Sequence, residues 1–151
     1  MVEGQRKSLD KGSYLLILKL RRSKRISVGR LGKLYFKKGF YIYVGSAMAH
    51  LSKRMERHCR LKKRPHWHID YLRKVAQFHS IFPISSSSKL ECKIAKALSR
   101  RLGWKVSGFG SSDCRCESHL FGMEKDPLHS KDFIRWLQSF RRGIRKGRLK
   151  D

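Results

Sequence analysis

The segment GFYIYVGS at residues 39–46 constrains the fold more than any other stretch of this sequence. It is rich in aromatic and β-branched residues and ends at a Gly-Ser pair, which predicts a buried strand that stops at a turn. Side chains alternate across a strand, so Tyr41, Tyr43 and Gly45 would face one side and the residues between them the other. The chain is therefore expected to be organised around this strand.

An amphipathic helix is predicted directly after the strand, over residues 48–61. The apolar residues that recur three or four positions apart are Met48, Leu51, Met55 and Cys59. The other face would be basic and would carry Arg54 and His58, which lie one turn apart and so project together. A half-buried strand and a solvated basic helix are the simpler interpretation of these residues alone. A tyrosine strand, a glycine turn and this helix would also form a polar site.

The charge balance points to a polyanionic partner. Lys and Arg number 37 against 11 Asp and Glu, which gives a net charge of +26 in 151 residues. Such a field favours nucleic acid, because bound phosphates release counterions. No membrane partner is expected, since no apolar run approaches the ~20 residues of a spanning helix and the first residues lack the apolar core of a signal peptide. These features predict a cytoplasmic domain whose four cysteines are reduced or bind metal.

The remaining periodicity predicts an α+β fold, with a small, mainly antiparallel sheet flanked by helices. Strands or short extended segments are expected at 14–20, 26–32, 34–36, 78–84, 104–106 and 119–122. Further helices are expected at 66–76, from a capping box of Ser88 and Glu91 to a stop at Gly103, and after a cap at Ser130 or Asp132. The domain would span 12–140, between a flexible arm at 1–11 and a basic tail at 141–151.

Two short motifs then suggest a family. GSY at 12–14 and YVG at 43–45 resemble the two half-motifs of the GIY-YIG endonuclease superfamily, with Arg54 on the following helix and Glu91 opening a later one. Over residues 12–123 the chain resembles one branch, the DUF123 or Uri superfamily of GIY-YIG-like endonucleases, which implies a GIY-YIG nuclease-like fold. The further blocks of this resemblance are GSA at 45–47, RH at 57–58, HWHIDYL at 66–72, EC at 91–92 and FGSSDCRCESHL at 109–120.

Two features depart from the pattern of that superfamily. The interval between Tyr14 and Tyr43 is longer than in the minimal nucleases, so an extra hairpin is expected between them. The late asparagine of the family pattern is missing, because the chain contains no Asn at all. Ser112 and Asp113 are the candidates to replace it, and a changed catalytic geometry is the alternative.

The resemblance implies that the protein hydrolyses phosphodiester bonds in DNA with a divalent metal. Glu91 would bind one Mg²⁺ or Mn²⁺, and Arg54 would hold the scissile phosphate with its planar fork. Tyr14 would act as the general base, with Tyr43 and His58 orienting the water or relaying its proton. A tyrosine with an ordinary pKa near ~10 is a weak base at neutral pH. Neighbouring Arg and Lys side chains are therefore expected to lower the pKa of Tyr14.

A second group of candidate ligands lies within six residues of the late loop and consists of Cys114, Cys116 and His119. These soft or borderline donors would fill most of a tetrahedral Zn²⁺ site. The candidates for its fourth ligand are His66, His68 and Cys92. Of these His68 is preferred. Two buried thiols and a backbone-bonded histidine explain the spacing equally well, and in a further alternative the HWHID segment at 66–70 belongs to the active cleft.

Phosphate contacts without sequence preference are predicted for the basic residues Arg57, Lys62, Lys63 and Arg64. Two functions of different classes compete. One is a DNA endonuclease, for which DNA repair is a candidate role, and the other is a non-catalytic, zinc-stabilised module that binds DNA or RNA. The presence of Tyr14, Tyr43, Arg54 and Glu91 favours the nuclease, whereas the missing asparagine favours the binding module. DNA is favoured over RNA as the partner.

Overall fold

The computed structural model describes residues 10–145, which form a five-stranded antiparallel sheet of order β5-β1-β4-β7-β6 and a two-stranded hairpin, β2-β3. The strands are β1 (Gly12–Leu20), β2 (Lys24–Ser27), β3 (Lys33–Phe36), β4 (Gly39–Ala47), β5 (Gln77–Ser85), β6 (Trp104–Lys105) and β7 (Leu120–Met123). The helices are α1 (Leu51–Cys59), α2 (His68–Arg73), α3 (Glu91–Ser99) and α4 (Lys131–Arg145). The α+β class and the mainly antiparallel sheet predicted from the sequence are confirmed.

Strands β1 and β4 form the centre of the sheet. They pair antiparallel over their whole length, and this register places Tyr14 opposite Gly45. Because side chains alternate, β1 sends Tyr14 and Leu16 to one face and Leu15 and Ile17 to the other, and all four are buried. The nearly continuous apolar sequence of β1 follows from this arrangement, since both of its faces are covered.

The two faces of the sheet bury different clusters, which we call the tyrosine face and the aliphatic face. The tyrosine face is covered by α1, α2 and the hairpin, and its buried tyrosines are Tyr14, Tyr41 and Tyr43. The aliphatic face is covered by α3 and α4, which pack on the Leu, Ile and Val side chains of β1 and β4. The side chains that α4 buries against this face are Phe133, Trp136, Leu137 and Phe140.

The hairpin of β2 and β3 is inserted between β1 and β4, so the extra hairpin expected between Tyr14 and Tyr43 is confirmed. It is a separate pair of strands and does not extend the main sheet. The predicted edge strand at 26–32 is confirmed only at Ile26 and Ser27, because β2 ends at Ser27 and a 3-10 turn, Gly29–Leu31, follows it. The hairpin packs its own apolar side chains, among them Ile26 and Leu34, against the tyrosine face.

The first helix differs from its prediction in length and in its buried side. Strand β4 runs through the expected Gly-Ser turn to Ala47, so α1 begins only at Leu51 and ends at Cys59. The buried residues of α1 are Leu51 and His58, whereas Cys59 is exposed. The interpretation of this helix as a solvated basic helix is therefore wrong for His58, which belongs to the interior of the tyrosine face.

The third helix begins at Glu91 itself. Leu90 occupies the N-cap, and no side chain caps this end, so the predicted capping box of Ser88 and Glu91 is wrong. The helix ends at Ser99, before the expected stop at Gly103. Because Glu91 is the first residue of α3, its side chain lies at the end of the helix rather than along it, next to the C-terminal part of β4.

Both predicted ends of the domain shift. Asp10, placed in the flexible arm, caps α1, because its carboxylate accepts hydrogen bonds from the Ser52 backbone at 2.8 Å and the Ser52 hydroxyl at 3.0 Å. Helix α4 continues to Arg145, so residues 141–145 of the predicted tail are helical. The rest of the arm and of the tail, 1–9 and 146–151, lies outside the described residues. Within residues 10–145 no helix has the length and apolar character needed to cross a membrane.

Candidate active site and metal centre

A polar cavity of about 330 Å³ opens at one end of the central strands, between α1, α3 and the loop that precedes β7. The predicted site residues that line it are Tyr14, Tyr43, Arg54, Glu91, Cys114 and His119. They come from five separate segments of the chain, and the pairing of β1 with β4 brings the first two together. We call this cavity the cleft.

Gly45 is needed because the ring of Tyr14 crosses directly over it. The two residues are paired in the register of β1 and β4, and a Cβ atom at position 45 would overlap the Tyr14 ring and hydroxyl. The backbone of Gly45 is in the ordinary strand conformation, so close approach, not a special φ angle, requires glycine. The glycine of YVG at 43–45 therefore serves Tyr14, and the sequence-based interpretation of Gly45 as a turn residue is wrong.

Tyr14 and His58 form a buried pair beside the cleft. The Tyr14 hydroxyl lies 2.6 Å from Nε2 of His58, and His58 is fully buried. Burial lowers the pKa of His58 to about 3, with further lowering by Lys63, so the imidazole is neutral near pH 7 and Nε2 can accept the tyrosine proton. The other ring nitrogen, Nδ1, has no hydrogen-bond partner among residues 10–145.

The expected lowering of the Tyr14 pKa is wrong. Burial raises the pKa of Tyr14 above its ordinary value, and the guanidinium of Arg54 offsets this only in part. Burial likewise raises the pKa of Tyr43, whose ring lies 6.3 Å from that of Tyr14 and 6.2 Å from that of His58. Desolvation thus outweighs the surrounding positive charge, and both tyrosines are neutral phenols at neutral pH.

Arg54 is oriented by two contacts. Its Nη1 donates to the Ser46 carbonyl at 3.1 Å, and its guanidinium lies 4.2 Å from the centroid of the Trp67 ring. Stacking on an aromatic ring leaves the edge of the guanidinium available for an anion. Trp67 also lines the cleft, so this tryptophan is a positioning side chain for Arg54.

Two of the predicted phosphate contacts are used inside the protein. Arg57 donates from both terminal nitrogens to the fully buried carboxylate of Asp70, at 3.0 Å each, and Lys63 donates to the Arg57 carbonyl at 2.9 Å. Burial lowers the pKa of Lys63 to about 8. These two basic side chains hold α1 to the start of α2. Lys62 and Arg64, in contrast, are exposed.

Glu91 accepts a hydrogen bond from Ser46 and lies in ion-pair contact with His119. Ser46 Oγ donates to its Oε1 at 2.5 Å, and Nδ1 of His119 lies 2.8 Å from its Oε2. Burial alone would raise the pKa of Glu91, but the contacts with His119 and Ser46 outweigh it and lower the pKa below its ordinary value. The carboxylate is therefore charged at neutral pH. Asp113 lines the same cleft, whereas Ser112 does not.

Four side chains beside Glu91 form a group that could hold a metal ion: Cys92, Cys114, Cys116 and His119. One donor atom of each lies within 4.8 Å of the others. The predicted members Cys114, Cys116 and His119 are confirmed as neighbours, but the fourth member is Cys92. His68 is wrong for this position, because its Nδ1 instead accepts a hydrogen bond from the Gly110 backbone at 2.9 Å.

The alternative that placed the 66–70 segment in the cleft is wrong for its polar residues. Asp70 is buried against Arg57, and His66 packs its ring against Trp67 at 4.5 Å between centroids. Neither these residues nor His68 lines the cleft. Sequence spacing did not distinguish Cys92 from His68, because both lie in segments remote from the loop, although the position of Cys92 next to Glu91 was a usable signal.

The fold and site define an α+β domain with a buried tyrosine–histidine pair, a cleft with one firmly held carboxylate, and an adjoining group of three thiols and an imidazole. Residues 13–142 match the family described as Domain of unknown function DUF123, and the chain belongs to this family. The predicted membership of DUF123 is thereby confirmed, and it extends through most of α4. Comparison with curated proteins and with solved structures finds no match.

Proposed function

We propose that this protein is a GIY-YIG-like endonuclease that hydrolyses phosphodiester bonds in nucleic acid, with DNA favoured over RNA. The observation that carries the proposal is the convergence of Tyr14, Arg54 and Glu91 on one cleft of a protein with a net charge of +26. A phosphodiester is an anion, and its hydrolysis needs a positioned water, a cation for the scissile phosphate and a site for a divalent metal.

Arg54 is the residue that would hold the phosphate. Its guanidinium is stacked on Trp67 and anchored to the Ser46 carbonyl, so its orientation is set before the substrate arrives. A planar guanidinium matches two phosphate oxygens at once. The exposed Lys62 and Arg64 would add affinity without sequence preference, since they meet only the backbone of the nucleic acid.

Tyr14 and His58 would handle the proton of the attacking water. A neutral tyrosine cannot take this proton and keep its own, so it passes the hydroxyl proton to Nε2 of His58, which lies 2.6 Å away. A bound phosphate raises the pKa of His58 by placing negative charge near it. As the water oxygen bonds to phosphorus, the bond to the leaving oxygen breaks and that oxygen takes a proton from solvent.

Glu91 and Asp113 are the carboxylates that would hold Mg²⁺ or Mn²⁺ in the cleft. They fit such an ion, because hard divalent cations bind through one or two carboxylates and retain several waters. When bound, the ion supplies charge stabilisation to the phosphoryl oxygens. Ser46 sets the direction of the Glu91 carboxylate, and Asp113, which lines the cleft, would take the role of the absent asparagine.

The second candidate is a non-catalytic module that binds DNA or RNA and is stabilised by Zn²⁺. The group of three thiols and an imidazole favours it, because soft donors of this kind are typical of structural zinc sites. The raised pKa values of Tyr14 and Tyr43 also favour it, since neither phenol is activated by its surroundings. The predicted cytoplasmic location and a role in DNA repair stay predictions.

The deciding experiment is a cleavage screen of the full chain with Mg²⁺ or Mn²⁺, over single-stranded, duplex, branched and lesion-containing DNA and over RNA. We expect Glu91→Gln to reduce cleavage at least about 10³-fold, several kcal/mol of barrier, and to leave binding in a gel-shift assay largely intact. The matched control is Glu56→Gln, an exposed position of α1, which should cleave at the wild-type rate. Tight binding by the wild type without cleavage of any substrate would establish the binding module instead.

A further inference from the structure

His119 lies between the thiol group and the cleft, and its two ring nitrogens face different partners. Nε2 lies 3.5 Å from Sγ of Cys114, and Nδ1 lies 2.8 Å from Oε2 of Glu91. The side chain is 2% exposed, so it cannot turn into solvent. No other described residue belongs both to the thiol group and to the pair of side chains that hold Glu91.

The thiol group is assembled by two segments whose backbones are already in place. Cys92 is the second residue of α3, while Cys114 and Cys116 come from the loop before β7. That loop is closed by backbone hydrogen bonds from Gly108 to Glu117 at 2.7 Å and from His119 to Phe109 at 2.8 Å. The thiols are therefore presented by an ordered loop and a helix end, and metal binding does not require them to be gathered first.

The distances suit a single tetrahedral ion. Thiolates bound to Zn²⁺ at ~2.3 Å lie about 3.8 Å from each other, and the four donor atoms lie within 4.8 Å before any contraction. Three sulfurs and one imidazole select a soft or borderline metal, whereas the carboxylates of the cleft select Mg²⁺ or Mn²⁺. Two neighbouring sites would thus take different metals, with His119 between them.

We propose that Zn²⁺ bound by Cys92, Cys114, Cys116 and His119 positions Glu91 through His119. Ligation through Nε2 leaves the ring N–H on Nδ1, where it faces the Glu91 carboxylate, so the metal sets both the tautomer and the angle of the ring. His119 is then a positioning residue, because it acts on the cleft through Glu91. The importance of Glu91 for cleavage rests on the proposed function, but the link from zinc through His119 to Glu91 does not.

The first measurement is the metal content of the full chain, purified without added metal or chelator. We expect about one Zn²⁺ per chain in the wild type and in Cys59→Ser, the matched control, since Cys59 is exposed and lies outside the group. Cys116→Ser should lose the ion. In the loaded wild type only Cys59 should react rapidly with a thiol reagent. A wild type that contains no zinc and takes none up overturns the proposal.

The second measurement reads the link itself, by nitrogen-15 and proton magnetic resonance of the histidine rings. The zinc-loaded wild type should show a slowly exchanging Nδ1–H for His119, which moves in Glu91→Gln and broadens in zinc-stripped protein. The signal is assigned to His119 by its loss in His119→Cys. The cysteine in this variant offers the metal a fourth thiol but has no ring N–H to donate to Glu91. A zinc-bound His119 whose Nδ1–H does not respond to Glu91→Gln overturns the proposal.

Cleavage assays separate this proposal from the proposed function. If both hold, His119→Cys retains zinc and still cleaves about 10–100-fold more slowly than the wild type, because second-sphere partners of metal ligands have effects of this size. If the wild type never cleaves yet shows the zinc and the responsive Nδ1–H, the proposed function fails and the link stands. If the wild type cleaves but contains no zinc, the proposed function stands and the link from zinc through His119 to Glu91 fails.

Discussion

The tyrosine face and the aliphatic face of the sheet are built from the same two strands, β1 and β4, yet they bury different chemistry. The aliphatic face contains Leu15, Ile17, Ile42 and Val44 beneath α3 and α4, and its buried strand side chains carry no titratable group. The tyrosine face buries Tyr14, Tyr41 and Tyr43, with His58 from α1 packed among them. Successive side chains of a strand point to opposite faces of the sheet, so neighbouring residues of β1 and of β4 belong to different faces.

The difference shows where the fold accepts a cost in stability. A buried imidazole with an unpartnered Nδ1 and two buried phenols are expensive, because a polar group loses its water on burial. The buried strand side chains of the aliphatic face include no imidazole or phenol, so the packing of this face must offset the destabilising burial on the tyrosine face. We infer that changes on the tyrosine face act mainly on the reaction, and changes on the aliphatic face mainly on stability.

The largest expected effect comes from removing one hydroxyl on the tyrosine face. Tyr14→Phe keeps the ring over Gly45 but removes the proton donor to His58, so cleavage should fall about 10²–10⁴-fold. The free energy of unfolding should fall by about 1–3 kcal/mol, because Nε2 of the buried His58 loses its partner. Tyr41→Phe is the matched control, because its hydroxyl is also buried on this face but donates to the Lys37 carbonyl, away from the cleft. Wild-type cleavage by Tyr14→Phe would contradict the proposed role.

The next effect is on stability and tests the aliphatic face. Leu15→Ala should lower the free energy of unfolding by about 2–5 kcal/mol in denaturant titrations, because Leu15 is fully buried and its loss leaves a cavity. Its cleavage rate at a temperature where it remains folded should stay close to that of the wild type. The same substitution at Leu61, which is 57% exposed, should change stability by no more than about 0.5 kcal/mol. A large loss of activity in folded Leu15→Ala would break the division between the faces.

The smallest effect is a pH dependence that originates at His58. Its pKa is about 3 in the folded protein and near 6.5 when unfolded, so between these values the unfolded chain binds a proton that the folded protein excludes. Stability from this group is complete above the unfolded pKa and is lost as the pH falls, by at most about 1.4 kcal/mol per pH unit. The groups whose charges act on it are Arg54, Arg57, Lys63 and Asp70.

His58→Gln isolates that contribution, because every other titrating group is common to both proteins. Urea unfolding should be compared at several values between about pH 6.5 and 4.5, above the range in which most carboxylates titrate. We expect the wild type to lose stability more steeply than the variant as the pH falls. Parallel curves would show that His58 titrates normally in the folded protein and would remove the neutral acceptor from the proposed proton path.

Much of the sheet could be predicted because its signals are local. The alternation at 39–46 and the continuous apolar run of β1 depend only on neighbouring residues, and both strands are confirmed. The helix boundaries were less predictable. Ser88 and Glu91 have capping-box spacing, but Glu91 is itself the first residue of the helix. Its carboxylate accepts a hydrogen bond from Ser46 and lies beside His119, so it does not cap the backbone of its own helix.

The candidate site was predictable only as a set of residue types. Motif positions identified Tyr14, Tyr43, Arg54 and Glu91, and all four line the cleft. The spacing in the late loop identified three of the four members of the metal-binding group. His68 and Cys92 were both candidates for the fourth, and no sequence distance separates them, since each must return to the loop from a remote segment.

The sequence alone determined the positive charge, the nearly continuous apolar run of β1 and the alternation of β4, since composition and alternation are properties of the chain itself. Only the tertiary structure decided that His58 is buried and that Arg57 forms an ion pair with Asp70 inside the protein. The tertiary structure also decided that Cys92 completes the thiol group and that the pKa of Tyr14 is raised. These depend on desolvation and on distances between remote residues. Desolvation and these distances are set by folding, and the spacing of residues in a motif does not predict them.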